Sequence, residues 1–279
     1  MTPERADPAE ETEKTTVWVG TSGFSFPDWA GTFYPQDLPK SEWLPYYAGR
    51  FSALELNSSY YRIPSAKTMT HLCERTPPGF LFMVKANKKT THQRADAEVA
   101  EEFRACLQPL IEAGRLRGVL AQFPWSFRNT EENRDYLVSI AERTSDVQWF
   151  AEFRRRDWIV PLVGNLLRER RIGFVSVDEP QISDMVPPVA KFTVPVAYVR
   201  FHGRNAEAWW GRGTDQARDR YDYLYSEEEL RLWAGKIERL RGKVKEIFLF
   251  FNNCHDGQAA ENAVLMRDLL SRLAHMEVR

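Results

Sequence analysis

Residues 196–202 read VAYVRFH, and this stretch carries the pattern that decides the fold. The segment is short and rich in β-branched and aromatic residues, which is typical of a β-strand. Because side chains alternate along a strand, Tyr198, Arg200 and His202 share one face. Polar groups therefore collect at the carboxyl end of an otherwise apolar strand. We interpret this segment as the seventh of eight similar strands.

The other strand-like segments have the same composition and alternate with helical patterns. They are predicted at Val17–Thr21, Phe51–Asn57, Phe80–Lys85, Gly118–Phe123, Val147–Phe153, Ile172–Val177 and Ile247–Asn252. An apolar stripe over Asp96–Ala113 and a capping box from Ser226 to Glu229 are the clearest helix signals. The alternation favours an α/β fold, a single (β/α)8 TIM-type barrel. A doubly wound open sheet is the alternative, but no Gly-rich nucleotide turn follows the first strand.

Three segments depart from the alternation. Glu179–Pro195 contains four prolines, so we expect extended chain there and a sixth helix that is absent or vestigial. Residues 1–16 are polar and predict a disordered tail, which leaves residues 17–279 for the barrel domain. Gly203–Tyr225 is long and rich in aromatic residues and arginine, as expected for a lid or binding loop.

Composition excludes several classes of protein. A net charge of -1 over 279 residues provides no global basic field for nucleic acid. Three cysteines without a CxxC spacing argue against a disulfide framework and a structural zinc site. No apolar run approaches the roughly 20 residues of a membrane-spanning helix, and no signal peptide is evident. We expect a cytoplasmic protein without membrane association, and no protein partner can be inferred.

Carboxylates and a histidine lie at the predicted strand ends, where barrel enzymes build their sites. The predicted catalytic residues are Glu55, Glu152, Asp178 and His202. Two carboxylates can act as general acid and base, or all three can hold a divalent metal as cofactor. The alternative is that Glu55 and Glu152 only form ion pairs with Arg154, Lys85 or Arg200. The residues alone leave both interpretations open.

Cationic and amide side chains follow several of the same strands. The predicted substrate- or anion-binding residues are Asn57, Tyr60, Lys85, His92, Gln122, Arg154, Arg200, Arg204, Asn252 and Asn253. Arginine suits bidentate recognition of phosphate or carboxylate. The loop Asn253–Gly257 leads into the last helix, and helix N-termini near this barrel position often bind phosphate. We therefore predict an anion site at the barrel mouth.

Motifs in chain order resemble the DUF72, or YecE-like, family. They are Gly20–Gly23, Phe33–Pro35, Glu55–Asn57 with Tyr60–Tyr61, Phe80–Lys85 with Thr91–His92, Gln122–Pro124, Glu152–Arg154 with Trp158, Tyr198–Gly203 and Phe251–Asn253 with Asn262. The resemblance implies a TIM-barrel fold and supplies neither an activity nor catalytic residues. Such barrels are distantly similar to xylose isomerase and endonuclease IV. Five histidines are few for a trinuclear zinc site of the endonuclease IV kind.

The leading hypothesis is an enzyme that acts on a phosphate-bearing substrate, a small phosphorylated ligand or nucleic acid, by phosphoester hydrolysis. A sugar-phosphate isomerase or lyase is the second hypothesis. A non-catalytic protein that binds nucleic acid or another anion is the third. For either enzyme we expect Glu152→Gln and Arg200→Ala to abolish turnover with little loss of stability.

Overall fold

The computed structural model describes residues 14–94, 97–210, 219–273 and 276–279. These residues form an α/β fold around a nine-stranded parallel sheet with the order β2-β3-β4-β5-β6-β7-β8-β1-β9. The strands are β1 Thr15–Thr21, β2 Ala53–Leu56, β3 Leu81–Lys85, β4 Leu116–Gln122, β5 Trp149–Glu152, β6 Gly173–Asp178, β7 Val196–Phe201, β8 Glu246–Phe251 and β9 Met276–Val278.

Helices connect most successive strands of the described chain. They are α1 Trp43–Ala48, α2 Ala66–Glu74, α3 Lys88–His92, α4 Ala97–Glu112, α5 Glu131–Glu142, α6 Pro161–Glu169, α7 Glu227–Glu238 and α8 Gln258–Ser271. The capping box predicted at the start of α7 is present, with the Ser226 and Glu229 side chains bonded to each other's backbone N–H groups. Helix α5 is capped by Thr130, whose hydroxyl accepts a hydrogen bond from the Asn133 N–H.

The predicted strands all occur, and each begins and ends within two residues of its expected bounds. Strands β2 to β8 are neighbours in chain order, which is a singly wound arrangement and excludes the doubly wound alternative. Between β1 and β2 the contact is a single parallel bridge, Ser22 to Glu55, with a Gly23 N–H to Glu55 carbonyl bond of 2.8 Å. Strand β9 was not predicted, because three residues are too few for a recognisable pattern.

The segment from Glu179 to Pro195 contains no helix, as the prolines predict. It runs beside β6, where the Thr193 hydroxyl accepts a 2.8 Å hydrogen bond from the Phe174 N–H. The ladder between β5 and β6 is short. Phe150 pairs with Gly173, and Ala151 pairs with Phe174. A groove of about 870 Å³ remains between α6 and α7, on the outer face and away from the strand ends. Its walls are apolar and basic, and it holds none of the predicted site residues.

The interior of the sheet is filled at its middle by the ring of Phe150. A Cβ built on Gly173 would lie 2.1 Å from Phe150 Cδ1, and one built on Gly118 would lie 2.5 Å from Phe150 Cε2. The two glycines therefore make room for one aromatic ring between neighbouring strands. Their role is close approach, since neither has a positive φ.

We expect Gly173→Ala to lower the free energy of unfolding by about 1–3 kcal/mol, because the added methyl group overpacks the interior. The matched control is Gly235→Ala on α7, where a Cβ meets no atom within 4 Å. That change should be neutral or stabilising by about 0.5–1 kcal/mol, because alanine favours the helix. Urea denaturation of both variants measures the difference. Equal midpoints would contradict this packing.

The predicted tail falls mostly on residues 1–13, which lie outside the described residues. Thr15 and Thr16 belong to β1, so the strand begins two residues before the predicted start of the domain. Within the described ranges, every helix is too short or too polar to cross a lipid bilayer.

Candidate functional site

Strand alternation determines which polar side chains lie inside the sheet. Arg200 is paired in register with Val177 of β6 and Phe250 of β8, and its guanidinium reaches Glu55 of β2 and Glu152 of β5. Both carboxylates and Arg200 are fully buried. The carboxyl ends of parallel strands thus bring the predicted polar groups together across the interior.

Arg200 is at the centre of this buried cluster. It donates to Glu55 through Nε at 2.8 Å and Nη2 at 2.6 Å, a bidentate pair. Its Nη1 donates to Glu152 Oε2 at 2.7 Å. The Tyr198 hydroxyl donates a short hydrogen bond to Glu55 as well. One guanidinium therefore bridges two carboxylates that would otherwise repel each other.

Glu152 has two further partners. Arg154 Nη2 lies 2.8 Å from Glu152 Oε1, and the other end of the Arg154 guanidinium lies 2.5 Å from Glu179 Oε2. His202 Nε2 lies 3.1 Å from Glu152 Oε1, while His202 Nδ1 lies 3.0 Å from the Asn252 amide nitrogen. The His202 ring and the Glu152 and Glu179 carboxylates therefore belong to one hydrogen-bonded network.

Together, burial and neighbouring charges lower the pKa values of Glu152 and His202 and raise that of Glu179. Burial favours the neutral form of Glu152, but Arg200, Arg154 and His202 outweigh it and hold the pKa of this carboxyl well below its usual range. Burial, followed by the charge of Arg154, lowers the pKa of His202 to about 3, so the ring is neutral. Burial raises the pKa of Glu179 to about 7 against the opposing Arg154 charge.

The sequence left open whether Glu55 and Glu152 only form ion pairs. In the structure, Glu55 pairs with Arg200, and Glu152 pairs with both Arg200 and Arg154. Lys85 forms no ion pair with either glutamate. The expectation that Arg200→Ala would cost little stability needs correction. Removal of this fully buried arginine leaves the buried Glu55 carboxylate without its cation and leaves Glu152 with Arg154 as its remaining arginine partner.

Asp178 does not join the other two carboxylates. In the β6–β7 register it stands beside Phe201, on the outer face of the sheet. There its carboxylate accepts both Arg204 donors at 2.7 and 2.8 Å, the Tyr225 hydroxyl at 2.8 Å and the Trp233 Nε1–H at 2.5 Å. Within the described part of the chain, no group of three His, Cys, Asp or Glu side chains is placed to hold a metal. The three-carboxylate cation site is therefore corrected to two separate ion-pair networks.

Lys85 lies at the rim, at the end of β3, and is half-buried. Its Nζ donates to Gln122 Oε1 at 2.8 Å and stands 4.6 Å from the centre of the Tyr60 ring. The Tyr60 hydroxyl is 3.3 Å from His92 Nε2. Burial, followed by the charges of Arg200 and Arg154, lowers the pKa of Lys85 to about 7 despite the two glutamates. Four predicted residues thus form one rim cluster, Lys85, Gln122, Tyr60 and His92.

A pocket of about 210 Å³ opens beside this rim cluster. The residues that line it include His92, Gln122, Trp125, Arg154, Trp209 and Arg220. Arg220 and Arg154 both approach the Trp209 ring, at 5.5 and 5.6 Å from its centre. We name this cavity the rim pocket. Trp209 and Arg220 belong to the predicted lid, of which residues 211–218 lie outside the described residues.

The three predicted asparagines lie near the site but do not line the rim pocket. Asn253 donates to the Tyr223 carbonyl at 2.8 Å and to Asn262 Oδ1 at 2.9 Å, which ties the loop after β8 to α8. Asn57 is the N-cap residue of a short 3-10 helix. Asn252 contacts His202 as given above. At the predicted anion seat before α8, the Asp28 carboxylate accepts the Asp256 N–H at 3.1 Å, so a side chain of the protein occupies this position.

Sequence reasoning missed Glu179, Trp125 and Arg220 as members of the site. For Glu179 the sequence contained half of the answer: alternation places it on the face opposite Asp178, but the pairing of Val177 with Arg200 is needed to show that Glu179 faces inward. Trp125 had no local signal, and Arg220 was covered by the predicted lid only as a segment and not as a single residue.

Comparisons with known proteins agree with the resemblance read from the motifs. The DUF72 family, described as a protein of unknown function, matches residues 18–278. UPF0759 protein YunF of Bacillus subtilis is 32% identical over 273 residues, covering 91% of this chain and 94% of that protein.

Two solved structures are similar over nearly the whole chain. A DUF72 family protein of Thermotoga maritima is 40% identical, covers 92% of this chain and 100% of its own, and has a TM-score of 0.85. A DUF72 family protein of Enterococcus faecalis is 28% identical, covers 92% and 96%, and has a TM-score of 0.82. By its family match, its curated relative and these structures, the chain belongs to the DUF72 family.

Proposed function

We propose that this protein is an enzyme that binds a small phosphate-bearing substrate in the rim pocket. The observation that carries the proposal is the chemistry of the walls, where Arg154, Arg220 and His92 converge beside Trp125 and Trp209. Arginine fits phosphate oxygens, and indole rings fit a flat or apolar substrate body. In the described residues, Arg220 Nε is a buried donor without a hydrogen-bond partner, as a donor awaiting an anion would be.

The geometry favours a sugar-phosphate isomerase or lyase over phosphoester hydrolysis. Hydrolysis would use Glu55 or Glu152 to activate water, but Arg200 and Arg154 engage both carboxylates. Among the described residues, Lys85 and Glu179 have pKa values of about 7, so both can exchange a proton near neutral pH. Phosphoester hydrolysis remains the second reaction, with His92 as its base. A binder without turnover is the remaining outcome.

We propose also that the sheet closes between β1 and β2 as a (β/α)8 barrel. The support is the Ser22–Glu55 bridge and the close approach of Gly20, where a Cβ would lie 2.3 Å from the Ala53 carbonyl. Closure at this point would keep the Glu55 carboxylate directed toward Arg200.

The test is stabilisation against heat by inorganic phosphate and by small sugar phosphates, because a ligand that binds the folded state raises the melting temperature. We expect a shift of the wild type that Arg220→Met abolishes or strongly reduces. Arg170→Met is the matched control, since Arg170 is exposed and pairs with Glu142 on the outer surface. That control should respond to phosphate as the wild type does. Equal responses of both variants would contradict the assignment of the pocket.

A further inference from the structure

Lys85 is a cation at the barrel mouth, and among the described residues no carboxylate lies within ion-pair distance of its amine. Arg200 and Arg154 each hold two carboxylates, whereas Lys85 Nζ contacts the neutral amide oxygen of Gln122 and the face of Tyr60. A lysine whose role is a structural ion pair would be expected beside Glu55 or Glu152. The Lys85 amine instead contacts Gln122 and Tyr60 at the rim.

The position of Lys85 also suits attack on a bound substrate. Gln122, which holds the amine at 2.8 Å, is itself part of the wall of the rim pocket. His92 belongs to the same wall and reaches the Tyr60 hydroxyl at 3.3 Å. Lys85 itself does not line the pocket but lies directly behind Gln122, and we take its amine to be within reach of the other end of a substrate whose phosphate lies against Arg154 and Arg220.

We propose that Lys85 Nζ forms an imine with the carbonyl carbon of a phosphate-bearing aldehyde or ketone. The amine lone pair attacks the carbonyl carbon, and the carbon–nitrogen bond forms as the carbonyl oxygen takes up a proton. Loss of that oxygen as water then gives the protonated imine. Desolvated lysines near other cations are the lysines that enzymes use for this step. The inference rests on the proposed function for the phosphate end of the substrate.

The neighbours of Lys85 supply the proton transfers that the step needs. Tyr60 and His92 form a hydrogen-bonded pair that can donate a proton to the departing oxygen. Gln122 is a positioning residue, because it holds Nζ without being able to protonate it. With a pKa of about 7, Lys85 has about half of its amine neutral at pH 7, roughly three orders of magnitude more than an exposed lysine.

The experiment is reductive trapping with dihydroxyacetone phosphate and sodium cyanoborohydride, followed by peptide mass spectrometry. We expect covalent reduction products at Lys85 to form on the order of tenfold faster than at exposed Lys88 at pH 7. Between pH 6 and 8.5, labelling of Lys85 should level off above about pH 7, which is well below the pH at which an exposed lysine loses its proton. Lys85→Arg should lose the fast product, and dihydroxyacetone without phosphate should label Lys85 more slowly.

The outcomes separate this inference from the proposed function. If phosphate stabilises the protein but Lys85 labels no faster than Lys88, imine formation is wrong and the phosphate site stands. If Lys85 labels fast and equally with both ketones, imine formation stands and the phosphate requirement is wrong. Loss of both responses overturns both. Lys85→Arg also guards against misfolding as an explanation, since its melting temperature reports whether the fold is kept.

Discussion

Arg200→Met should lower the free energy of unfolding by about 3–5 kcal/mol, one of the largest effects of any single change in this chain. Glu55 and Glu152 are both fully buried, and Arg200 is the guanidinium that they share. Without the Arg200 guanidinium, the Glu55 and Glu152 carboxylates remain in the interior. Arg154 can compensate the charge of Glu152 but not that of Glu55. Urea denaturation followed by circular dichroism measures the loss.

Two variants test the cause of that loss. Arg170→Met removes an exposed ion pair with Glu142 and should change stability by no more than about 1 kcal/mol. The triple variant Arg200→Met with Glu55→Gln and Glu152→Gln removes the buried charges together and should recover part of the stability. If Arg200→Met alone does not fold, the triple variant still decides the question. A triple variant no more stable than the single one would show that packing, and not charge, explains the effect.

Asp178→Ala should destabilise the protein by about 2–6 kcal/mol, because two buried donors each lose their acceptor at about 1–3 kcal/mol. The donors are the Tyr225 hydroxyl and the Trp233 Nε1–H, and both residues are almost fully buried. Arg204 loses its bidentate partner too, but it is partly exposed and can turn to water. Thermal and urea denaturation both measure the change.

Asp146→Ala is the control for Asp178, since Asp146 pairs with Arg104 at the surface. Its removal should cost no more than about 1 kcal/mol. Adding Tyr225→Phe to Asp178→Ala should cost less than Tyr225→Phe costs in the wild type, because the hydroxyl has already lost this acceptor. Strict additivity of the two changes would contradict the network around Asp178.

The strands and their polar ends could be predicted because each strand carries its own local pattern. Tyr198, Arg200 and His202 share a face in any parallel sheet, whatever the neighbours are. The missing helix after β6 was equally local, because prolines determine backbone conformation within a few residues. The family resemblance covered the same segments in chain order and independently implied a TIM-barrel fold.

The arrangement of charges could not be predicted in the same way. Asp178 and Glu179 are adjacent, yet one faces the helices and the other faces Arg154. Only the register of β6 against β7 decides between them, and the sequence of β6 does not contain it. Trp125 and Arg220 reach the rim pocket through loop conformations that no short pattern encodes. The sequence therefore predicted most residues of the candidate site. It did not predict that they divide into the Arg200 network, the Asp178 network and the rim pocket.

The short ladder between β5 and β6 has a consequence for the way the molecule opens. Two residues of β5 are paired there, whereas β7 and β8 pair over six. Proteins open locally where hydrogen bonds and packing are fewest, and the parts on either side then behave as separate cooperative units. We infer that amide hydrogens along β6 exchange with solvent ahead of those in β8, and that this seam divides the chain into two foldons, one containing Glu152 and the other Arg200.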